Sequence, residues 1–228
     1  HVKQGGWPGS FSAFSFSGAE TSLEIAWPDF DGYLKHLAKS TRRNYKLHCL
    51  QADEMGVVVS AMSEVTAMDQ ALALIRNVDQ HHQMVSRPWI RGMLENLDLV
   101  DSTWISARVG DRLAGCCLLA GDDGCLTATL LGLDYSIPQS IYIYYQIMYA
   151  AIRISIERKA RFLYGGGGAY EFKRRLGFRL LPEDYLVVAG ANRLFRGIVR
   201  SLAPWAGGRE AGGAPADGPG TCRHGTGT

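Results

Sequence analysis

Along the 228-residue chain the apolar positions change period several times, and each change marks an element. Phe11 to Phe16 and Leu23 to Ala26 read as strands, broken by Gly and Pro, and Trp27-Pro28-Asp29 is a turn signal. Asp31 is placed to cap a helix running to about Lys46, with Tyr33, Leu34 and Leu37 on its apolar side. Val57-Val58-Val59, after Gly56, predicts a buried strand. From about Ser63 to Met84, Val65, Met68, Leu72, Ile75 and Val78 recur every three or four residues, the stripe of an amphipathic helix. Pro88 opens a further short helix, Trp89 to Leu97.

The period then drops to two. Thr103–Val109, Leu113–Ala120 and Cys125–Leu133, separated by Gly-Asp turns, predict a three-stranded antiparallel meander. A helix follows from about Gln139 to Ala160, apolar and aromatic nearly all round at first and charged at its end, so its first half is central and buried. Arg161–Tyr164 is a short strand ended by four glycines, and Ala169–Leu176 a short helix with Gly177 placed to stop it. Phe178–Val188 reads as a last strand or hairpin. The meander favours a mixed α/β sheet with helices on both faces over a doubly wound parallel sheet. Residues 1–29 form a strand-like N-terminal segment, 30–190 one α/β domain, 191–206 a basic helix and 207–228 a Gly/Pro-rich disordered tail. His1 in place of Met implies a fragment or processed form, with an upstream part expected.

Composition narrows the class. With 46% hydrophobic and 20% charged residues the chain can bury a core, and a net charge of +2 excludes a polybasic nucleic-acid coat. The longest uncharged run, Tyr135–Ile152, is too polar for a membrane span. The five cysteines include no C-x-x-C pair, which argues against a disulfide framework or zinc ribbon and for a reducing cytoplasm. No targeting segment is visible near the start. Charge is segregated: basic groups dominate 31–50 and 150–200, acidic groups 51–134. A late basic block suits a phosphate-bearing ligand such as a coenzyme or a tRNA end, or simply a solvated face.

Gly165–Gly168 is neither a P-loop, since no G-K-[ST] closes it, nor a dinucleotide fingerprint. It permits close approach of a ligand or a neighbouring backbone, or a flexible turn. His81-His82 follows a helical stripe, has no partner at ligand spacing and reads as a surface or helix-end pair. Cys116 and Cys117 alternate along a strand, so only one of them is expected to face the core. Tyr142, Tyr144, Tyr145 and Tyr149 read as core, with one hydroxyl able to line a cleft.

The element order, Gly132-Leu133-Asp134-Tyr135, the helix Tyr142–Ile156 and GGGGAYEFKRRLGF (Gly165–Phe178) together resemble the GNAT acyltransferase superfamily. More narrowly they resemble its Fem-type, peptidoglycan-related branch, and Phe30–Lys46 is similar to the stretch that opens such domains. The resemblance covers about residues 30–190. It implies a GNAT-like acyl-CoA N-acyltransferase fold in which a meander strand and the next strand part. The parted strands hold the acyl donor near Leu131, Gly132 and Leu133. Its phosphates would rest on the following helix start, at Gln139 and Ser140.

The family's basic, glycine-rich R-x-x-G-x-G loop is absent here, since 134–142 contain no Gly, Arg or Lys. Fem-type proteins share this degenerate loop and include enzymes that take acyl groups from aminoacyl-tRNA instead. The family's acid, a tyrosine four residues before the last Gly-Phe, is replaced by Lys173, and its coenzyme-contacting Asn falls near Gly166, beside Gly167. Lys173 is therefore expected to stabilise an oxyanion or a phosphate. Tyr170 is the alternative acid, and Asp134 or Glu171 the base, unless these serve only as turn or ion-pair residues. The resemblance implies transfer from acetyl-CoA or another acyl-CoA to an amine, on a small molecule or a peptide, without a metal. The alternatives are aminoacyl-tRNA as donor, or a non-catalytic module of the same fold. Nothing points to DNA or to a particular oligomeric state.

Overall fold

The computed structural model describes residues 11–17, 20–84, 87–122, 124–181, 183–189 and 208–210, with side chains over 20–84, 87–122 and 124–181. The strands are β1 (Phe11–Ser17), β2 (Thr21–Glu24), β3 (Val57–Met62), β4 (Ser102–Val109), β5 (Arg112–Asp122), β6 (Cys125–Leu133), β7 (Phe162–Tyr164), β8 (Arg179–Leu180), β9 (Glu183–Ala189) and β10 (Gly208–Glu210). The helices are α1 (Phe30–His36), α2 (Lys39–Glu54), α3 (Met68–His81), α4 (Ile90–Glu95), α5 (Ser140–Glu157) and α6 (Tyr170–Arg175). Seven strands form one sheet in the order β3-β4-β5-β6-β7-β2-β8, while β10-β1-β9 form a second. In the larger sheet only β6 and β7 run parallel.

Helices cover both faces of the larger sheet. Helix α5 lies on one face, and its Ile143 and Ile147 reach β5 so closely that a Cβ at Gly115 would stand 2.8 and 2.7 Å from them. Helices α3 and α4 close the other face with Leu72, Leu74, Ile75, Ile90 and Leu94 around Trp104, Leu118 and Leu130. Each such aliphatic side chain, fully buried, contributes roughly 1.5–3 kcal/mol. Because both faces are covered, Cys116 and Cys117 are both buried, one in each cluster, so the expectation that only one faces the core does not hold. Cys125 is disulfide-bonded, a departure from a wholly reduced set of thiols.

The single helix expected over 31–46 is two. Leu37 and Ala38 are extended (ψ 152° and 149°), and the Arg42 guanidinium donates to the carbonyls of Lys35 and Leu37 at 2.9 and 2.6 Å, closing the end of α1. Val57–Met62 is an edge strand rather than a buried one, and Val58 is exposed. The last strand divides into β8 and β9, and β2 is an inner member of the larger sheet. The expected basic helix at 191–206 lies outside the described residues. So does most of the expected tail, of which β10 alone is described.

Candidate acyl-transfer site

Strand β6 carries one residue too many. Leu118 faces Leu130 and Leu119 faces Ala128, which leaves Thr129 as a bulge. A bulge bends its strand and increases the local twist. Strand β7 pairs with β6 only at Cys125, Leu126 and Thr127, and the pairing stops where the bulge begins. Strand β7 ends there, at Tyr164, so β6 from Ala128 onward has the glycine loop rather than a paired strand beside it.

A cavity of about 320 Å³ lies where this pairing ends, against Ala128, Thr129 and Leu131 of β6 and against Gly165–Gly168 after β7. Gly166 and Gly168 take positive φ, 67° and 75°, which glycine adopts without strain and which turns the loop back over the cavity. Gly165 has no room for a side chain, since a Cβ would stand 2.8 Å from Thr21 Oγ1 and 3.3 Å from Lys173 Cδ. The Thr21 hydroxyl donates to the Gly166 carbonyl at 3.0 Å, fixing the loop to β2.

Lys173, on α6, points inward and is only 4% exposed. Its Nζ donates to the carbonyls of Gly166 and Gly167, both at 3.0 Å. An ammonium has three N–H groups. Two hold the loop, and the third has no partner among the described residues, beside the cavity that the side chain lines. Burial lowers its pKa to about 8, with the field of Glu20 opposing the drop. From α5, Tyr144 and Met148 line the same cavity. Among the described residues the buried Tyr144 hydroxyl has no hydrogen-bond partner, and desolvation raises its pKa, so it is a neutral donor. Cys117 lines the cavity too, with burial pushing its thiol up to about 12.

Of the site residues expected from sequence, the structure brings together Lys173, Gly166, Gly167 and Leu131. Gly132 lies on the other side of β6, where a Cβ would stand 2.5 Å from Cys116 Sγ and 2.8 Å from Leu74 Cβ, so α3 and β5 account for this glycine. Leu133 is buried in the core. Asp134 does not reach the cavity. Its Oδ1 accepts from the N–H and hydroxyl of Ser136, at 3.0 and 2.6 Å, and Arg112 pairs with its Oδ2. Gln139 and Ser140 start α5 but do not line the cavity, and Gln139 makes no side-chain cap. The N–H groups of Ser140 and Tyr142 donate locally to Ile137 and Gln139, both at 3.0 Å. Tyr170 is 39% exposed at the start of α6, and Glu171 pairs with Arg174 and Arg175.

Sequence reasoning missed His82. His81 and His82 are exposed at the end of α3, as a surface or helix-end pair is expected to be, but His82 also lines the cavity while His81 stacks on Tyr135. No sequence signal marks His82, because the turn after α3 alone carries it there. Among the described residues no group of three or more His, Cys, Asp and Glu is placed to hold a metal ion. Among them, too, no helix is long and apolar enough to cross a membrane.

No family model and no curated protein matches the chain. Solved structures do. FemX aligns with a TM-score of 0.59 at 9% identity, over 80% of this chain and 64% of its own. The C-terminal DUF2156 domain assigned to a lysylphosphatidylglycerol synthetase from Agrobacterium fabrum gives 0.56 at 11% identity, over 86% and 66%. A conserved protein of unknown function from Bacteroides thetaiotaomicron VPI-5482 gives 0.54 at 12%, over 79% and 62%. The chain thus spans slightly less than two thirds of the length of each. With its antiparallel meander and its central helix between flanking strands, the chain shares the mixed α/β fold of FemX.

Proposed function

We propose that the protein is an acyltransferase that moves an acyl group from an activated carbonyl donor to an amine by direct attack. The amine nitrogen attacks the carbonyl carbon and forms the C–N bond. The bond from carbon to the leaving sulfur or oxygen breaks, and the leaving group departs with the electron pair. The proton lost by nitrogen goes to a base, a role that fits His82 at the cavity. As charge builds on the carbonyl oxygen, the third N–H of Lys173 stabilises it electrostatically. Strand β6 beyond Thr127, unpaired with β7, offers backbone groups to the donor's arm.

The observation that carries this reading is a buried ammonium in a cavity formed where the pairing of two parallel strands ends. An acyl-CoA is the donor implied by the GNAT resemblance. One observation favours the second reading, an aminoacyl-tRNA ester. The start of α5, expected to seat a pyrophosphate, lies off the cavity, and two of its N–H groups are engaged locally. The test is transfer of a labelled acyl group from acetyl-CoA and from alanyl-tRNA to a panel of amines, alongside thermal shift with each donor. A ligand that binds the folded state raises the melting temperature with the logarithm of its concentration. Transfer by the wild type that is lost in Lys173→Met supports the reading. No shift and no transfer with either donor at millimolar concentration leaves only a non-catalytic module of this fold.

A further inference from the structure

The charges and donors around the cavity bear on what the acyl group itself can carry. Among the described residues lining it there is no aspartate or glutamate, while Lys173 and Arg87 both reach it. Arg87 is already paired with Asp79, and Glu20, whose field reaches Lys173, does not line the cavity. The carbonyls of Gly166 and Gly167 in the cavity wall already accept from Lys173, and that of Gly166 accepts from Thr21 as well. The two buried side-chain groups at the cavity with bonding capacity left among the described residues can both donate, the third N–H of Lys173 and the hydroxyl of Tyr144, while the acceptor nitrogen of His82 lies at the exposed rim. Val78, Leu131 and Met148 supply apolar wall.

We infer that this cavity takes a neutral, apolar acyl group without an α-ammonium, its carbonyl oxygen accepting from Tyr144 and Lys173. This rests on the acyltransferase reading and narrows it. A buried hydroxyl without a partner is costly, and an acceptor-only oxygen relieves both donors at once. An α-ammonium would enter beside a like charge in a poorly solvated site with no carboxylate to offset it. The phenol is a positioning donor in this scheme: it fixes the carbonyl and contributes no proton, since the leaving group takes none from it.

The test uses matched donors that differ only at the α-amine: propionyl-CoA against alanyl-CoA, and N-acetylalanyl-tRNA against alanyl-tRNA. Affinities are measured by calorimetry at about pH 6, where an α-amine is protonated. The expected result is that the uncharged member of a pair binds at least about tenfold tighter. Tyr144→Phe is expected to weaken it about five- to tenfold without lowering the melting temperature of the free protein, because only an unsatisfied hydroxyl is removed. Equal or tighter binding of the alanyl member overturns the inference while the acyltransferase reading stands. Unchanged affinity in Tyr144→Phe overturns the placement of the carbonyl. If neither member of either pair binds, the acyltransferase reading falls and this inference with it.

Discussion

Two loops lead from the sheet into helices, and they use their polar groups in opposite ways. The loop from β6 into α5 turns its groups on itself. Asp134 takes both donors of Ser136, Ile137 N–H donates to Asp134, and Ser140 N–H donates to Ile137. The loop from β7 into α6 turns its groups toward a cavity: glycine carbonyls hold a buried ammonium, and two positive-φ glycines keep the wall thin. In the common GNAT arrangement the first loop is the one expected to meet the donor. Here the first is a closed structural turn, and the second lines the cavity.

The largest effect expected to sharpen this contrast comes from Lys173→Met. Met keeps the buried stem and removes the charge, so acyl transfer at neutral pH should fall by at least about 100-fold, as for loss of an oxyanion donor. The paired experiment is Asp134→Asn in the first loop. Its melting temperature should drop, corresponding to about 1–3 kcal/mol for a disturbed buried carboxylate, while transfer stays within about twofold. Strong loss of transfer in Asp134→Asn with unchanged stability would erase the distinction between the loops.

Next in size is Gly165→Ala. A Cβ there meets Thr21 Oγ1 at 2.8 Å, Phe178 Cε1 at 3.0 Å and Lys173 Cδ at 3.3 Å. Overpacking of this kind costs about 1–3 kcal/mol, and displacement of the lysine should weaken propionyl-CoA binding as well. Gly132→Ala, crowded instead by Cys116, Leu74 and Ile75, should destabilise by a similar amount and leave donor affinity alone. Chemical denaturation and calorimetry on both variants check the split.

The pH dependence follows from the buried ammonium. The folded-state pKa of Lys173, about 8, lies below its ordinary 10.5, so between these values the unfolded chain holds more protons. Stability from this group therefore rises with pH between about 8 and 10.5, by up to about 3 kcal/mol. Buried Cys116 and Cys117, whose pKa values are raised, act in the opposite direction over part of that range. The readable quantity is hence the wild-type profile minus that of Lys173→Met. Transfer that depends on the ammonium should decline above about pH 8. A difference profile that is flat, or that falls with rising pH, contradicts the assignment.

Much of the fold was legible because period changes are local. The meander, the stripe of α3 and the apolar girth of α5 all follow from spacing. The break at Leu37-Ala38 was not, since the Arg42 guanidinium that closes α1 reaches back over a gap no pattern displays. At the site, Lys173 and the glycines were legible through the resemblance and the run of glycines itself. Thr129 was hidden because a bulge depends on the partner's register, and His82 because a turn between elements decides where it points. Gly132 misled for a related reason: the backbone contact that excludes a side chain there comes from α3, not from a ligand.

The smallest effect expected is in the first loop's outer residues. Gln139→Ala and Ser140→Ala should change donor affinity by less than about twofold, within the scatter of surface substitutions. Calorimetry with propionyl-CoA checks this, and a tenfold loss would return the phosphate seat to the start of α5.

The most direct test of the account is an amide and lysine Nζ NMR titration of the labelled protein with propionyl-CoA, using Lys173→Met to assign the ammonium. The account predicts saturable shifts at Lys173 Nζ and at the Gly165–Gly168 amides, with the Asp134–Ser136 amides unmoved. Saturable shifts confined to 134–142, with the Lys173 signal unchanged, would contradict it.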